Sequence, residues 1–382
     1  MESIVFVGMD VHQSEFAICC LQPELYSEDV FFGHMEIKAS AVEVKKYLDR
    51  IQERYQKSTG EELKFICGYE AGCMGYTLYH DLSRLGIACV ILAPTSMPRY
   101  PASAIKTDKR DSEYIAKCLA YGNYKSVHIP DVMDEQVRDY IRMRNDHMVA
   151  LKRLKQQVLA FCLRLGISYT GGQQKWTRVH LRWLRQLSLN PIHREILDEY
   201  LITYDSMVTR LDLLDRRIEE FAKKERYREQ VNKLTCFLGI KPYTGLSILV
   251  ETGDFERFKS AGHYACYLGL TPGEYSSGTS IKRTGITKAG NSQARRLLIE
   301  SAQSICKGSI GHKSKALLAR QRGCSSGTIA YADRANERLR RKYYRMIRGG
   351  KRRHTAVAAV ARELACFIWG MMTNHMEIRV VG

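Results

Sequence analysis

No two of the 12 cysteines in this 382-residue chain are spaced as CxxC. That spacing argues against a zinc site, and the apolar neighbours of these thiols predict reduced core cysteines in a cytoplasmic protein. No apolar run approaches the ~20 residues that cross a bilayer, and the opening MESIVFVGMDVH is too short and too acidic at its flank for a signal peptide. Disorder on a large scale is excluded by 45% hydrophobic and 26% charged residues. Acids are scarce in one region above all. Residues 282–353 hold three (Glu300, Asp333, Glu337) against 20 lysines and arginines, an excess of 17 in a chain whose net charge is +18. So concentrated a basic surface, with a pI near 9.4, points to a polyanion, nucleic acid before anionic membrane.

What is present begins with strands. Residues 4–10 (IVFVGMD), 15–21 and 30–37 read as three strands of a meander, and residues 41–55 as a helix. A buried strand, KFICGYE, follows at 64–70, then a helix and a third apolar strand at 87–92. A meander followed by alternating helices and strands predicts an α/β domain of the ribonuclease-H type. Asp10 and Glu70 emerge at strand ends, while Asp108 and Asp111, in KTDKRDSE, are three apart and share one side of a helix start. Four such carboxylates can hold Mg²⁺ for an in-line phosphoryl displacement. The structural alternative is that Asp108 and Asp111 complement a helix N-terminus and Asp10 merely ends a strand near solvent.

From Asp134 the pattern turns helical. Val137, Ile141, Met148, Leu151, Val158, Cys162 and Leu165 keep heptad-like spacing, as do Tyr204, Met207, Leu211, Leu214, Ile218 and Phe221. Both runs suit dimerisation. Between them Trp176 and Trp183, with Lys175, Arg178, Arg182 and Arg185, can grip nucleic acid or form a core with a solvated cationic face. The stretch LTCFLGIKPYTGLSIL reads as helix, glycine turn, helix, a shape that either offers amides to a phosphate or simply joins two packed helices. Residues 356–372 are predicted to form a buried helix.

Residues 275–291, YSSGTSIKRTGITKAGN, have no carboxylate. Gly278, Gly285 and Gly290 permit close backbone approach to a phosphate, and Lys282, Arg283 and Lys288 supply charge. Ser276, Ser277, Thr279 and Ser280 offer hydroxyls, one of which can serve as nucleophile; a solvated basic loop is the plainer reading. Arg295 and Arg296 follow on a predicted helix. With Arg341, Lys342, Arg345, Lys351, Arg352 and Arg353 they complete the expected nucleic-acid-binding set.

GMDVH around Asp10, YEAGCMGYTLY around Glu70, KTDKRDSE, YLGLTPGEYSSG and GITKAGNSQARRLL together resemble the DEDD transposases of bacterial insertion sequences, described as bridge-RNA-guided serine recombinases. The resemblance spans nearly the whole chain. It implies a RuvC-like DEDD domain over residues 1–130, a helical coiled-coil region for oligomerisation over 131–230, and a mainly α C-terminal transposase domain over 231–382. The acids would hold Mg²⁺, and Ser277, directly before the glycine of SSG, would form a covalent phosphoserine with DNA; Ser276 is its alternative. Donor and target DNA, a non-coding bridge RNA and a dimer assembling to a tetramer are the implied partners, in a cytoplasmic protein that meets the nucleoid when acting. Two departures stand out: Ser112 replaces the alanine frequent after the second aspartate, and LGIKPYTG lacks the usual proline-glycine turn. Two other functions use fewer of these features, a Holliday-junction-type nuclease relying on the acids alone and a non-catalytic RNA- or DNA-binding scaffold.

Overall fold

The computed structural model describes residues 3–24, 28–72, 74–98, 107–274, 283–307 and 309–376. The chain forms two compact units, Met1–Ile129 and Pro130–Gly382.

The first unit is built on a five-stranded mixed sheet. Its strands are β1 (Ser3–Val11), β2 (Glu15–Gln22), β3 (Val30–Lys38), β4 (Leu63–Glu70) and β5 (Ala88–Leu92), in spatial order β3-β2-β1-β4-β5. The first three form the expected antiparallel meander, whereas β4 runs parallel to β1 and β5 parallel to β4. Strand alternation sorts the side chains of β1. Val5, Val7 and Met9 are fully buried in the core shared with α1 (Ala41–Thr59) and α2 (Thr77–Arg84). Phe6, Gly8 and Asp10 therefore take the opposite face, where α3 (Asp108–Ala120) lies. Ser40 caps α1 by accepting from the amide of Val42, and Gly60, at φ 76°, ends it.

The second unit is mostly helical. Two 33-residue helices, α4 (Val132–Arg164) and α6 (Pro191–Lys223), pack together, each ~50 Å long at 1.5 Å per residue. α5 (Arg178–Gln186) closes one end of the pair. The remaining elements are α7 (Glu225–Thr235), α8 (Pro242–Thr252), α9 (Ala261–Tyr267), the hairpin β6 (Pro272–Glu274) and β7 (Arg283–Ile286), α10 (Ser292–Cys306), α11 (Lys315–Gln321), α12 (Ser326–Arg348) and α13 (Arg353–Met372).

Several sequence expectations change here. Most heptad positions of α4 and α6, including Val137, Ile141, Leu151, Val158, Leu211, Leu214 and Ile218, are buried within this one chain, although Met148 remains 40% exposed. Trp176 stacks on Tyr204 with ring centroids 5.0 Å apart, and Trp183 packs in the same end of the helix pair, so both tryptophans are half-buried and packed against the core. α13 corrects the statement about apolar runs: its 20 residues are long and apolar enough to cross a membrane, yet ten of them are buried in the core of this unit. The core-thiol expectation holds for most described cysteines but fails at Cys266, which is exposed.

The turn between α7 and α8 is occupied by the protein itself. A Cβ on Gly239 (φ 81°) would lie 2.4 Å from Ser301 O, and the amide of Leu238 donates to Asn336 Oδ1 at 2.9 Å. This turn joins packed helices.

Candidate active site

The acids meet because a helix is allowed to touch the sheet. Gly8 and Gly68 are in register on β1 and β4, and both face α3. A Cβ at Gly8 would stand 2.1 Å from Ser112 O and 2.3 Å from Ala116 N; one at Gly68 would meet the Leu119 methyls at 2.7 and 2.8 Å. Small residues on both sides, including fully buried Ser112, thus bring the start of α3 to the ends of the strands. Asp10 lies two residues beyond Gly8 and Glu70 two beyond Gly68, so alternation turns both carboxylates to the α3 face. Thr107 caps α3 by accepting from the amide of Arg110, which fixes Asp108 and Asp111 in its first turn.

Asp10, Asp108 and one residue outside the predicted set gather most closely. His12 Nε2 lies 3.3 Å from Asp10 Oδ2 and 3.8 Å from Asp108 Oδ2. One ligand atom from each of Asp10, His12 and Asp108 falls within 4.8 Å of the others. The Asp10 carboxyl is held above its ordinary range by burial; His12 opposes that shift, while Asp111 and Asp108 add to it. Asp111 therefore shares this electrostatic field. Glu70 ends the neighbouring parallel strand on the same face but stands outside the three-residue cluster. Hard carboxylate oxygens gathered at one strand end suit a divalent cation, whose charge offsets their mutual repulsion. His12 had a sequence signal: in GMDVH it stands two residues after Asp10, and its amide donates to Glu15 O in the turn to β2.

The second candidate element is the hairpin in the other unit. β6 and β7 pair antiparallel, with Pro272 opposite Ile286 and Glu274 opposite Arg283. Ser276, Ser277 and Lys282, like the side chain of Arg283, lie outside the described residues. The base of the hairpin is firmly built. A Cβ on Gly290 (φ 73°) would sit 1.9 Å from Tyr267 O, and one on Gly269 (φ 64°) 2.2 Å from Ala289 O, so only glycine suits either position. Lys288, itself at φ 56°, donates its amide to Gly269 O. Arg295 Nη1 donates to Leu268 O at 2.9 Å and Ala289 O at 3.0 Å, which makes this guanidinium a brace across the hairpin base. Arg296 pairs with Glu300 at 3.1 Å.

Under this base lies Glu251, which sequence reasoning passed over. Its side chain is 2% exposed and accepts two bonds of 3.0 Å from Arg142 of α4. Asn291 Nδ2 donates to its Oε2 at 2.8 Å and to its backbone carbonyl at 3.1 Å, and Tyr267 Oη donates to that same carbonyl.

The basic residues divide by use. Arg340 is buried and donates to the carbonyls of Ile305, Ser309 and His312. Arg338 and Lys342 share Glu363, and Arg341 pairs with Glu337. These residues, with Arg334, Arg345 and Arg348, line a cationic groove of about 970 Å³ along α12 and α13. Lys288, Lys351, Arg352 and Arg353 are exposed.

A mixed α/β unit with acids converging at strand ends and a basic helical unit define a DNA-processing protein of the DEDD type. Residues 7–165 match the DEDD family described as Transposase, and residues 231–316 match the Transposase IS116/IS110/IS902 family. The chain is 34% identical over 367 residues to the putative transposase y4qE of Sinorhizobium fredii, covering 96% of this chain and 88% of that one. To the transposase for insertion sequence element IS1533 of Leptospira borgpetersenii it is 32% identical over 350 residues, 90% of this chain and 96% of the other. The transposase for insertion sequence element IS1111A of Coxiella burnetii is 24% identical over 343 residues, 87% and 88% of the two chains. The chain belongs to the IS110/IS116 family of insertion-sequence transposases, enzymes of DNA cleavage and transfer.

Proposed function

We propose that this transposase cuts and rejoins DNA through a covalent phosphoserine at Ser277, assisted by Mg²⁺ held by Asp10, Glu70, Asp108 and Asp111. The observation that carries the metal-dependent part is the gathering of ligand atoms of Asp10, His12 and Asp108 within 4.8 Å of one another, beside the capped helix turn that also holds Asp111. A divalent cation bound there would supply positive charge to the attacked phosphate. Asp10 and Glu70 present their oxygens from adjacent strand ends, and the capped first turn of α3 presents those of Asp108 and Asp111. In the transfer step the serine Oγ–P bond forms as the P–O3′ bond breaks, and the serine proton ends on the departing 3′ oxygen. A second DNA end then reverses the exchange, conserving the phosphodiester.

The strand order β3-β2-β1-β4-β5 supports a RuvC or ribonuclease-H-like fold for residues 1–130. We assign 131–230 to oligomerisation, toward a tetramer on nucleic acid, and 231–382 to the transposase domain. Exposed Val149, Leu163, Ile192 and Ile202 on the long helices support that assignment, since their seams are filled within the chain. A non-coding bridge RNA is the proposed source of target choice, and the cationic groove along α12 suits backbone contacts rather than base reading. Lys282, Arg283, Lys288, Arg296, Arg341, Lys342, Arg345, Lys351, Arg352 and Arg353 are the proposed contacts; Arg295 acts through the hairpin base.

Covalent trapping tests the mechanism. The protein is incubated with its element's non-coding RNA, Mg²⁺ and labelled donor and target DNA, and SDS-resistant adducts are resolved. An adduct present in wild type and Ser276→Ala but absent in Ser277→Ala and Asp10→Ala is expected. DNA cut without adduct in any variant would instead establish a hydrolytic nuclease.

A further inference from the structure

A groove of about 960 Å³ opens between the strand β7, α10 and the first three turns of α13. Its floor is aliphatic, formed by Leu270, Ile286, Ile299 and Val357 with the small side chains of Ala358 and Ala359. Thr355, Ala358, Ala359 and Arg362 recur at the spacing of one helix face, so α13 turns a second, non-core face to this groove. Lys288, Arg353 and Arg362 stand among its lining residues, and no carboxylate does so among the described residues. Gln303, His354 and Thr355 add hydrogen-bonding groups.

An aliphatic floor with a cationic margin that includes no described carboxylate is chemically particular. A duplex backbone needs the cations but has no use for the floor. A peptide would find the floor, but three cations without an acid favour an anion. A nucleotide meets both requirements, its base lying on the floor and its phosphates on the margin, and a volume of this size is ample for one. Resting on the phosphoserine reading above, we propose that the groove receives an unpaired deoxynucleotide of the cleaved strand, extruded beside the attacked phosphate. Position favours that strand: β7 is the chain segment that returns from the serine stretch, and the groove lies along it. Extrusion of a flanking base would hold the attacked phosphate at a fixed offset from the hairpin, so that the register of cleavage is set by a seated base.

Photo-crosslinking tests this with the full-length Ser277→Ala protein, so that the assay does not depend on strand transfer. The probe is a single-stranded DNA oligonucleotide carrying 5-iodouracil, irradiated and mapped by mass spectrometry; a 5-iodouridine RNA of the same sequence and the matched DNA duplex are the other arms. The expected result is a DNA crosslink to peptides containing Ile299 or His354, reduced at least 10-fold by Ala358→Trp, which fills the groove. Arg362→Ala, at an exposed position, should lower single-strand affinity at least 3-fold relative to duplex affinity. Melting curves matching the parent identify folded variants, and Arg362→Ala keeps the test alive should the tryptophan perturb folding. Crosslinks that map elsewhere, persist in both variants or favour RNA overturn the proposal. An SDS-resistant adduct with no groove crosslink removes the groove alone; a groove crosslink without any adduct in the wild type removes the phosphoserine alone.

Discussion

Asn291 donates its side-chain amide to Glu251 Oε2 at 2.8 Å while its carboxamide oxygen caps α10 by accepting from the amide of Ala294 at 2.9 Å. One residue thereby ties the exit of the hairpin to a buried carboxylate, and Arg142 ties that carboxylate to the long helix α4. The hairpin base is thus anchored to the element that carries the exposed apolar residues.

The first prediction separates the helix cap of Asn291 from its contacts with Glu251. Aspartate caps helices as well as asparagine, so Asn291→Asp keeps the cap but sets a second carboxylate against Glu251. It should lower stability more than Asn291→Ala, which loses a cap worth about 1 kcal/mol. Arg142→Ala, by removing charge-assisted bonds to a buried acid, should cost about 1–3 kcal/mol. Urea unfolding of the three variants checks the order. A more stable Asn291→Asp than Asn291→Ala would mean that the Glu251 contact contributes little.

The second concerns Asp10, whose raised pKa is a statement about stability. Burial raises it first, His12 opposes, and Asp111 and Asp108 raise it further. A carboxyl with a folded pKa above its unfolded value holds more protons when folded, so the stability it contributes is present at acid pH and lost as pH rises through the folded value. At neutral pH the metal-free wild type carries that penalty. Asp10→Asn should therefore melt higher than wild type without Mg²⁺, and the gap should close toward pH 4. Mg²⁺ should raise the wild-type melting temperature and leave the variant unchanged. Equal Mg²⁺ shifts in both proteins would remove Asp10 from the metal site.

The third tests how α3 is seated. Gly8→Ala forces a methyl into the backbone of Ser112 and Ala116, and neither can rotate away. We expect destabilisation of about 1–3 kcal/mol or more, as for other overpacked cores, together with loss of Mg²⁺-dependent cleavage. Ser112→Ala removes only the bond from Ser112 Oγ to Lys109 O and should be mild. Thermal melts paired with cleavage assays distinguish the two, and a benign Gly8→Ala would show that α3 can retreat without disturbing the acids.

Much of the acidic site was legible because its signals are local. Asp10 and Glu70 end apolar strand runs, and Asp108 and Asp111 follow a capping threonine, so period and caps alone locate them. His12 stands two residues after Asp10 in GMDVH, a signal that a search for carboxylates alone passes over; the turn into β2 brings its ring to Asp10. Glu251 was hidden for a different reason. It sits in the apolar helix α8, and its partners Arg142 and Asn291 are 109 and 40 residues away, so only the packed fold joins them. The heptad runs were legible as seams but not as to partner: a 3.5-residue repeat says that a face is covered, and here α4 and α6 cover one another. The count of cations likewise hid their use, since buried Arg340 and bracing Arg295 hold carbonyls while the arginines of α12 line a groove.

The tryptophans, legible as either a nucleic-acid grip or core, yield the last prediction through their neighbour His180. This histidine is fully buried, and its ring lies 4.7 Å from that of Tyr169 and 5.5 Å from those of Trp176 and Trp183. Neither of its ring nitrogens has a hydrogen-bond partner, so the aromatic box holds it as a neutral apolar filler. Burial lowers its pKa, and Lys175 adds to the effect. The unfolded histidine takes up its proton near pH 6.5, before the folded one can, so stability present above that value is lost as pH falls below it. His180→Phe keeps the ring and removes the titration. The melting temperature of the wild type should therefore fall more between pH 8 and pH 5.5 than that of the variant. Nucleic-acid affinity at pH 8 should be equal in the two, because a ring sealed under two tryptophans reaches no ligand. A variant with unchanged acid sensitivity would place the titrating group elsewhere, and one with weakened binding at pH 8 would return Trp176 and Trp183 to the nucleic-acid surface.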